Sequence, residues 1–237
     1  MIIIPARLKS TRFAEKILCD IKGVPMFVAT AQRVSAVDRV CVAVDDTKVL
    51  DIAHAHGLQA VMTSDKHESG TDRINEACGI LGLESSEIII NVQADEPFIE
   101  PENLQKFKEF AQKCLDKDAF MASCYKKSSA KACEDANLVK VVTDRDGFAL
   151  YFSRSKIPFE RAPYGHFKAH LGIYAYSVRA LGEFCALESS DLEHAEKLEQ
   201  LRALENGRKI KMLEIKTQSI GIDSIEDYNR VMQLFGF

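Results

Sequence analysis

Short apolar runs rich in β-branched residues alternate along this chain with longer stretches whose apolar positions recur at helical spacing. Met1 to Ala6, Arg39 to Val44, Leu58 to Met62 and Glu87 to Val92 are too uniformly apolar to carry one wet face, and they predict strands covered on both sides. Helices fall between them. Pro25 opens the first, with Phe27, Ala31 and Val34 inward, and Thr47 caps the second, which Gly57 ends. Thr71 or Ser69 starts the third, with Ile74, Ala77, Cys78 and Leu81 inward. Glu100 and Pro101 open the fourth, which buries Leu104, Phe107, Ala111 and Cys114. This alternation predicts an α/β fold with a mostly parallel sheet.

After residue 118 the rhythm changes. Strands are predicted at Phe120 to Tyr125, Leu138 to Thr143 and Phe148 to Phe152, the last two joined by the turn Asp144-Arg145-Asp146-Gly147. A loop over 154 to 168 leads to a strand from His170 to Ser177. A helix is predicted from Leu192 to Leu204, with Ala195, Leu198, Leu201 and Leu204 on one face. Strands at Ile210 to Ile215 and Ser219 to Asp223 and a helix from Ile225 close the chain. Without repeats or a linker-like stretch, the expectation is one domain over 1–237 with an embedded lobe from about 125 to 210.

Composition narrows the function class. An apolar share of 46% with 28% charged residues excludes disordered and collagen-like chains. With 31 basic against 35 acidic side chains, the net charge of −4 argues against a duplex-binding surface, so no nucleic-acid partner is expected. Lys126-Lys127 and Arg208-Lys209-Lys211 read as solvated faces. No apolar run approaches the roughly 20 residues of a membrane span, and no signal-peptide pattern opens the chain. The seven cysteines form no CxxC pair and read as reduced thiols, which together predict a cytoplasmic protein. His54 and His56, two apart on a helix, are a poor zinc pair.

In open α/β sheets ligands gather beyond the carboxyl ends of the strands, and the polar residues cluster there. Past the first strand, Arg7, Lys9, Arg12 and Lys16 with Ser10 and Thr11 form either a solvated basic loop or a polyphosphate cradle. The loop lacks the glycines of a Walker A or GxGxxG turn. Past the fourth, Asn91-Val92-Gln93-Ala94-Asp95-Glu96-Pro97 puts Asp95 where it either favours the turn or ligates a hard cation such as Mg²⁺. Asp223, far away in sequence, either caps the last helix or faces Asp95.

Seven segments then occur in order: IIIPARLKSTR (Ile2 to Arg12) with Lys16, HESGTDR (His67 to Arg73), NVQADEP (Asn91 to Pro97), ALYFSR (Ala149 to Arg154), HLGIYAY (His170 to Tyr176), HAEKLEQLR (His194 to Arg202) and GID (Gly221 to Asp223). In this order the chain resembles, over nearly its whole length, the CMP-Kdo synthetases, the 3-deoxy-manno-octulosonate cytidylyltransferases of lipopolysaccharide assembly. The resemblance implies a nucleotide-diphospho-sugar transferase-like, Rossmann-like sheet with helices on both faces. The CTP-binding part would span about 1–120 and 211–237, and the lobe would bind sugar and form a homodimer. It implies transfer of CMP from CTP to the anomeric 2-hydroxyl of Kdo, with Mg²⁺ as cofactor. The alternatives are another acceptor, such as sialic acid or a sugar 1-phosphate, or a catalytically silent nucleotide-binding module.

On that resemblance Arg7, Arg12 and Lys16 take the triphosphate, Arg7 and Lys16 following charge onto the leaving pyrophosphate, and Asp95 and Asp223 hold the metal. The backbone at Ala6, Ser69 and Arg73 meets the cytosine, unless Arg73 is a helix-surface residue pairing Asp72 or Glu76. Gln93, Arg154, His170, Tyr174, Glu199 and Gln200 fall to Kdo, with a satisfied core histidine as the other role for His170. Three positions depart from the family pattern: Phe13-Ala14-Glu15 for Leu-Pro-Gly, Ala94 for glycine and Asp72 for glutamate. Ala94 predicts either a negative φ or a small local strain.

Overall fold

A computed structural model describes residues 1–8, 13, 15–115, 117–219, 221–222 and 224–234. The chain divides into two compact units, Met1–Lys106 with Thr217–Phe237 and, between them in sequence, Phe107–Lys216.

The first unit opens with β1 (Ile2–Ala6). A short 3-10 turn at Lys16–Leu18 and a two-residue hairpin, β2 (Asp20–Ile21) with β3 (Val24–Pro25), lead into α1 (Met26–Val34). Then come β4 (Val40–Val44), α2 (Thr47–Ala55), β5 (Ala60–Met62), α3 (Gly70–Ile80) and β6 (Ile88–Asn91), followed by α4 (Pro101–Leu115), whose residues from Phe107 on belong to the second unit. β6, β1, β4 and β5 lie side by side, all parallel. Ile2, Ile3 and Ile4 are fully buried, which is why the run carries no polar alternation. The pairing of Ala6 with Val44 brings the residues just beyond both strands to one edge, where the ligand-facing loops begin.

In the second unit β7 (Met121–Ser128), β8 (Lys140–Thr143), β9 (Ala149–Ser153) and β10 (Phe167–Ser177) precede α5 (Val178–Cys185), α6 (Asp191–Glu196), α7 (Leu201–Glu205) and β11 (Ile210–Glu214). β7 pairs parallel with β11 and antiparallel with β10, and β8 pairs antiparallel with β10 and β9. The Asp144–Gly147 turn forms as read, with Gly147 at φ 81°. A register shift between Leu171 and Tyr174 interrupts β10 beside two of the candidate site residues. The last helix, α8 (Ile225–Leu234), returns to the first unit, where Val231 joins a core of Ile21, Met26, Phe98 and Ile222.

Two expectations are corrected, and one helix was not read from the sequence. The helix predicted over Leu192 to Leu204 is two helices, because Lys197 takes the left-handed conformation (φ 53°) and ends α6. α6 itself buries no residue, but Leu198 at the break and Leu201 in α7 are buried, so part of the spacing reads through the interruption. Ser219, Gly221 and Ile222 are not in a strand; they run irregularly, hydrogen-bonded to the loop after β6. α5, which lacked a clear sequence signal, is capped by the Ser177 hydroxyl on the Ala180 amide (3.1 Å).

Candidate active site

In the first unit a cavity of about 170 Å³ is lined by Pro5, Arg7, His67, Glu68, Ser69, Gly70, Arg73 and Gln93. It lies at the carboxyl edge of β1 and β6, against the N-terminus of α3. Ser69 is the N-cap of that helix: its hydroxyl accepts from the Asp72 amide (3.0 Å) and donates to Asp72 Oδ2 (2.8 Å). The aspartate that replaces the family's glutamate is therefore spent on the cap. A Cβ at Gly70 would stand 3.2 Å from Pro5 Cγ, so glycine lets the helix start press against the end of β1.

Arg73 is not a helix-surface residue. It is 1% exposed and pairs with neither Asp72 nor Glu76: Nη2 donates to Asp45 Oδ2 (3.1 Å) and Nη1 to Thr63 Oγ1 (2.7 Å). Burial draws its guanidinium below the ordinary value, Asp45 opposing that shift and Arg7 adding to it. Thr63 donates onward to the Val44 carbonyl (2.8 Å), and the Leu8 amide donates to Asp45 Oδ1 (3.1 Å). Gln93, assigned to the sugar by resemblance, lines this same cavity and donates to Asn91 Oδ1 (3.1 Å). His67 Nε2 meets Glu76 Oε2 at 2.5 Å; the Ser64 amide on that carboxylate, followed by His67, draws Glu76 down despite partial burial.

Lys16 and Asp95 are in direct contact, Nζ to Oδ2 at 2.5 Å, both side chains largely buried. Glu15, where the family has glycine, sits at φ 48°, the region glycine favours, and its carboxylate is held by Lys48 at 3.1 Å. Ala94 does not share that strain: its φ is negative, and its buried carbonyl accepts from Thr30 Oγ1 (3.0 Å). The segment that carries the GID motif is fastened to the Asp95 turn. The Ile222 amide donates to the Asp95 carbonyl (3.0 Å), Ser219 Oγ donates to Glu96 Oε2 (3.0 Å), and a Cβ at Gly221 would approach Glu96 Oε1 to 3.0 Å. Thr217 Oγ1 (2.5 Å) and the Gln218 amide (3.1 Å) both donate to Glu100. Arg12 and Asp223 lie outside the described residues. Among those described, no three histidine, cysteine or carboxylate side chains cluster as a metal site.

The remaining candidates belong to the second unit. His170 Nε2 meets Ser123 Oγ at 2.9 Å, and its ring lies edge-on to Phe152 (4.9 Å) and tilted against Tyr174 (5.4 Å). Burial pushes this imidazole down to about 3, so it is neutral at pH 7, and pushes the Tyr174 phenol well above its ordinary value. Arg154 donates through Nε to the Glu196 carbonyl (2.7 Å), through Nη1 to Ala136 O (3.3 Å) and through Nη2 to Lys197 O (3.4 Å). Two of its five N–H groups remain beyond these bonds. Glu196 holds the Arg154 amide (2.8 Å) and the Ser153 hydroxyl (2.6 Å), and Lys140, fully buried, donates to the carbonyls of Asp135 (3.0 Å) and Arg154.

Glu199 and Gln200 occupy the break between α6 and α7. Gln200 is 4% exposed, and its amide nitrogen has no partner among the described residues. The break is fixed by Glu193, whose Oε2 and Oε1 accept from Arg202 Nε (2.8 Å) and Nη2 (2.6 Å) while its carboxylate also completes a capping box with Ser190. Asp45, Glu193 and Glu196 are positioning groups that the sequence reading missed. Asp45 alone had a usable signal: it is the first residue past a buried strand.

A family model described as cytidylyltransferase matches residues 1–210. The 3-deoxy-manno-octulosonate cytidylyltransferase of Wolinella succinogenes is 52% identical over 243 residues, covering 100% of this chain and 99% of that one. The protein of the same name from Nitratiruptor sp. is 52% identical over 236 residues, covering 99% of each. A solved structure of CMP:2-keto-3-deoxy-manno-octonic acid synthetase complexed with CTP superposes with a TM-score of 0.92 at 36% identity, over 99% of this chain and 97% of that one. A solved structure from Bacillus anthracis shares the fold at 14% identity and a TM-score of 0.67, covering 98% of this chain and 94% of that one.

Proposed function

The chain belongs to the 3-deoxy-manno-octulosonate cytidylyltransferases, and on that premise we propose how its residues divide the work of moving CMP from CTP to Kdo. In this nucleotidyl transfer the anomeric 2-hydroxyl oxygen of Kdo forms a bond to the α-phosphorus as the bond to the bridging oxygen breaks. Pyrophosphate leaves with that electron pair, and the hydroxyl proton passes to solvent water. Such a reaction asks chiefly for positioning and for neutralisation of phosphate charge.

The first-unit cavity takes the cytosine, with the backbone at Ala6 and the Ser69 and Arg73 side chains on its polar edge. Arg7, Arg12 and Lys16 take the triphosphate. Asp95 and Asp223 would hold Mg²⁺. The donor set suits a hard cation: Asp95 presents a carboxylate at a strand's end, and Ile222, which precedes Asp223 in sequence, is hydrogen-bonded to the same residue. When bound, Mg²⁺ supplies charge at the α-phosphate and lowers the pKa of the attacking hydroxyl. Lys16 exchanges Asp95 for phosphate oxygens as the nucleotide arrives and follows the charge onto pyrophosphate.

In the second unit His170, Tyr174 and Gln200 offer neutral hydrogen-bonding groups to Kdo, Glu199 accepts from a hydroxyl, and the two remaining N–H groups of Arg154 suit the carboxylate. The unpartnered Gln200 amide supports this assignment. Gln93 remains a sugar ligand on resemblance alone. The reading includes a place in lipopolysaccharide assembly, a cytoplasmic location and a homodimer, tested by fractionation and native mass. Among the described residues no helix is long and apolar enough to cross a membrane.

The observation that carries the assignment of roles is the Lys16–Asp95 contact with the GID segment fastened to the same turn: it joins the cation and carboxylate motifs that lie far apart in sequence. Pyrophosphate release, measured with Mg²⁺ and each of CTP, UTP, ATP and GTP, with Kdo, with sialic acid and without acceptor, tests the reading. Release only with CTP and Kdo, with a product of the mass of CMP-Kdo, is the expected result. Silence with Kdo would overturn it.

A further inference from the structure

Asp45 stands outside the roles that the resemblance assigns, yet its carboxylate ties the chain leaving β1 to Arg73, which lines the cavity. It follows β4 directly, so the β1–β4 register sets it beside the chain leaving β1. One carboxylate oxygen accepts from the Leu8 amide (3.1 Å), next to Arg7, and the other accepts from Arg73 Nη2 (3.1 Å). With Thr63 on Nη1, the guanidinium is held at two nitrogens, and the Asp45 and Arg73 side chains are only 8% and 2% exposed. A fork pinned in this way cannot rotate without leaving a charge buried and unpaired.

We propose that Asp45 is a positioning residue for nucleobase selection, holding Arg73 so that its remaining N–H groups favour cytosine over uracil. This rests on the proposed placement of the cytosine. Cytosine offers O2 and an unprotonated N3 as adjacent acceptors; uracil carries a proton on N3, which opposes a fixed donor. A guanidinium free to swing would meet the carbonyl oxygens of either base, so the discrimination comes from immobility as much as from charge. Because the same carboxylate also fixes the Leu8 amide, its loss should disturb the start of the phosphate loop, and nucleotide affinity should fall along with selectivity.

The test compares calorimetric dissociation constants for CTP and UTP, with kcat and KM for CTP, in the full chain and in Asp45→Asn, Thr63→Val and Glu193→Gln. Removing a charged hydrogen-bond partner predicts an approximately 10- to 100-fold loss of CTP affinity in Asp45→Asn, with KM affected more than kcat. The CTP-to-UTP preference should fall toward one. Thr63→Val should move the same ratio in the same direction by less. Glu193→Gln breaks an Arg–carboxylate pair in the second unit, so it should lose stability and keep the ratio. A folded Asp45→Asn with the parental CTP-to-UTP ratio overturns the inference. If Asp45→Asn does not fold, an unchanged ratio in Thr63→Val overturns it. Equal binding of CTP and UTP by the parent protein is a different failure: it removes the cytosine placement itself, and the inference with it.

Discussion

Replacing Glu193 by glutamine should cost this protein about 3 kcal/mol. The pair it forms with Arg202 is two-pronged, at 2.8 and 2.6 Å, between side chains 14% and 9% exposed, and the same carboxylate caps α6. Breaking a buried pair from one side costs about 3–5 kcal/mol, because the remaining charge keeps its desolvation penalty. Slight exposure of both groups and the retained amide oxygen place Glu193→Gln at the lower end. For a chain of this length about 3 kcal/mol corresponds to a fall of roughly 6–12 °C in Tm. The pH dependence has a definite sign. Burial alone would raise the Glu193 pKa, but the Arg202 guanidinium and the Ser190 amide outweigh it, and the net shift is downward. The pair's contribution is therefore fully present above the ordinary glutamate range and lost as pH falls through the lowered folded value. Calorimetric melts of both proteins from pH 7 downward should show a gap that narrows in acid. A gap below about 2 °C at pH 7, or one that does not change with pH, would refute this account of the α6–α7 break.

The other predictions concern a proposed metal carboxylate, one departure from the family pattern and the buried histidine of the second unit. Asp95→Asn should reduce kcat by about 10²–10³-fold or more and, because it weakens the largely buried Lys16 pair, should also lower Tm; near-parental turnover would sink the metal assignment. Ala94→Gly, which restores the family's residue, should lower Tm by roughly 2–6 °C. The φ at this position is already negative, so glycine relieves no strain, adds freedom to the unfolded chain and removes a buried methyl; a higher Tm would contradict this. His170, lowered to about 3 by burial, should show no imidazole titration by NMR between pH 5 and 8. Its neutrality means that folding stability declines as pH falls from the ordinary histidine range toward that value, because only the unfolded chain takes up the proton there. A midpoint near 6.5 would show that the ring is solvated.

The sequence by itself determined those features that depend on local composition. The β1, β4 and β6 runs are uniformly apolar because both faces of each strand are covered, and the helices between them announce themselves by spacing and caps. The ordered motifs alone point to the family and the reaction. It left open whatever depends on which distant groups meet. The sequence left Arg73 between a cytosine ligand and a helix-surface partner of Asp72 or Glu76; the structure buries it against Asp45, which the β1–β4 pairing sets beside the chain leaving β1. The Leu192 to Leu204 periodicity is satisfied equally by one helix or by two; only the Glu193–Arg202 clasp and the left-handed Lys197 select two, and with them the setting of Glu199 and Gln200. The segment leading to Asp223 has the apolar alternation of a strand, but its hydrogen bonds go to the Asp95–Glu96 turn and Glu100, which no spacing rule could pair with it. Periodicity records which side of an element is dry. It does not record which buried charge will find which partner, because that energy exists only once the chain has closed around both.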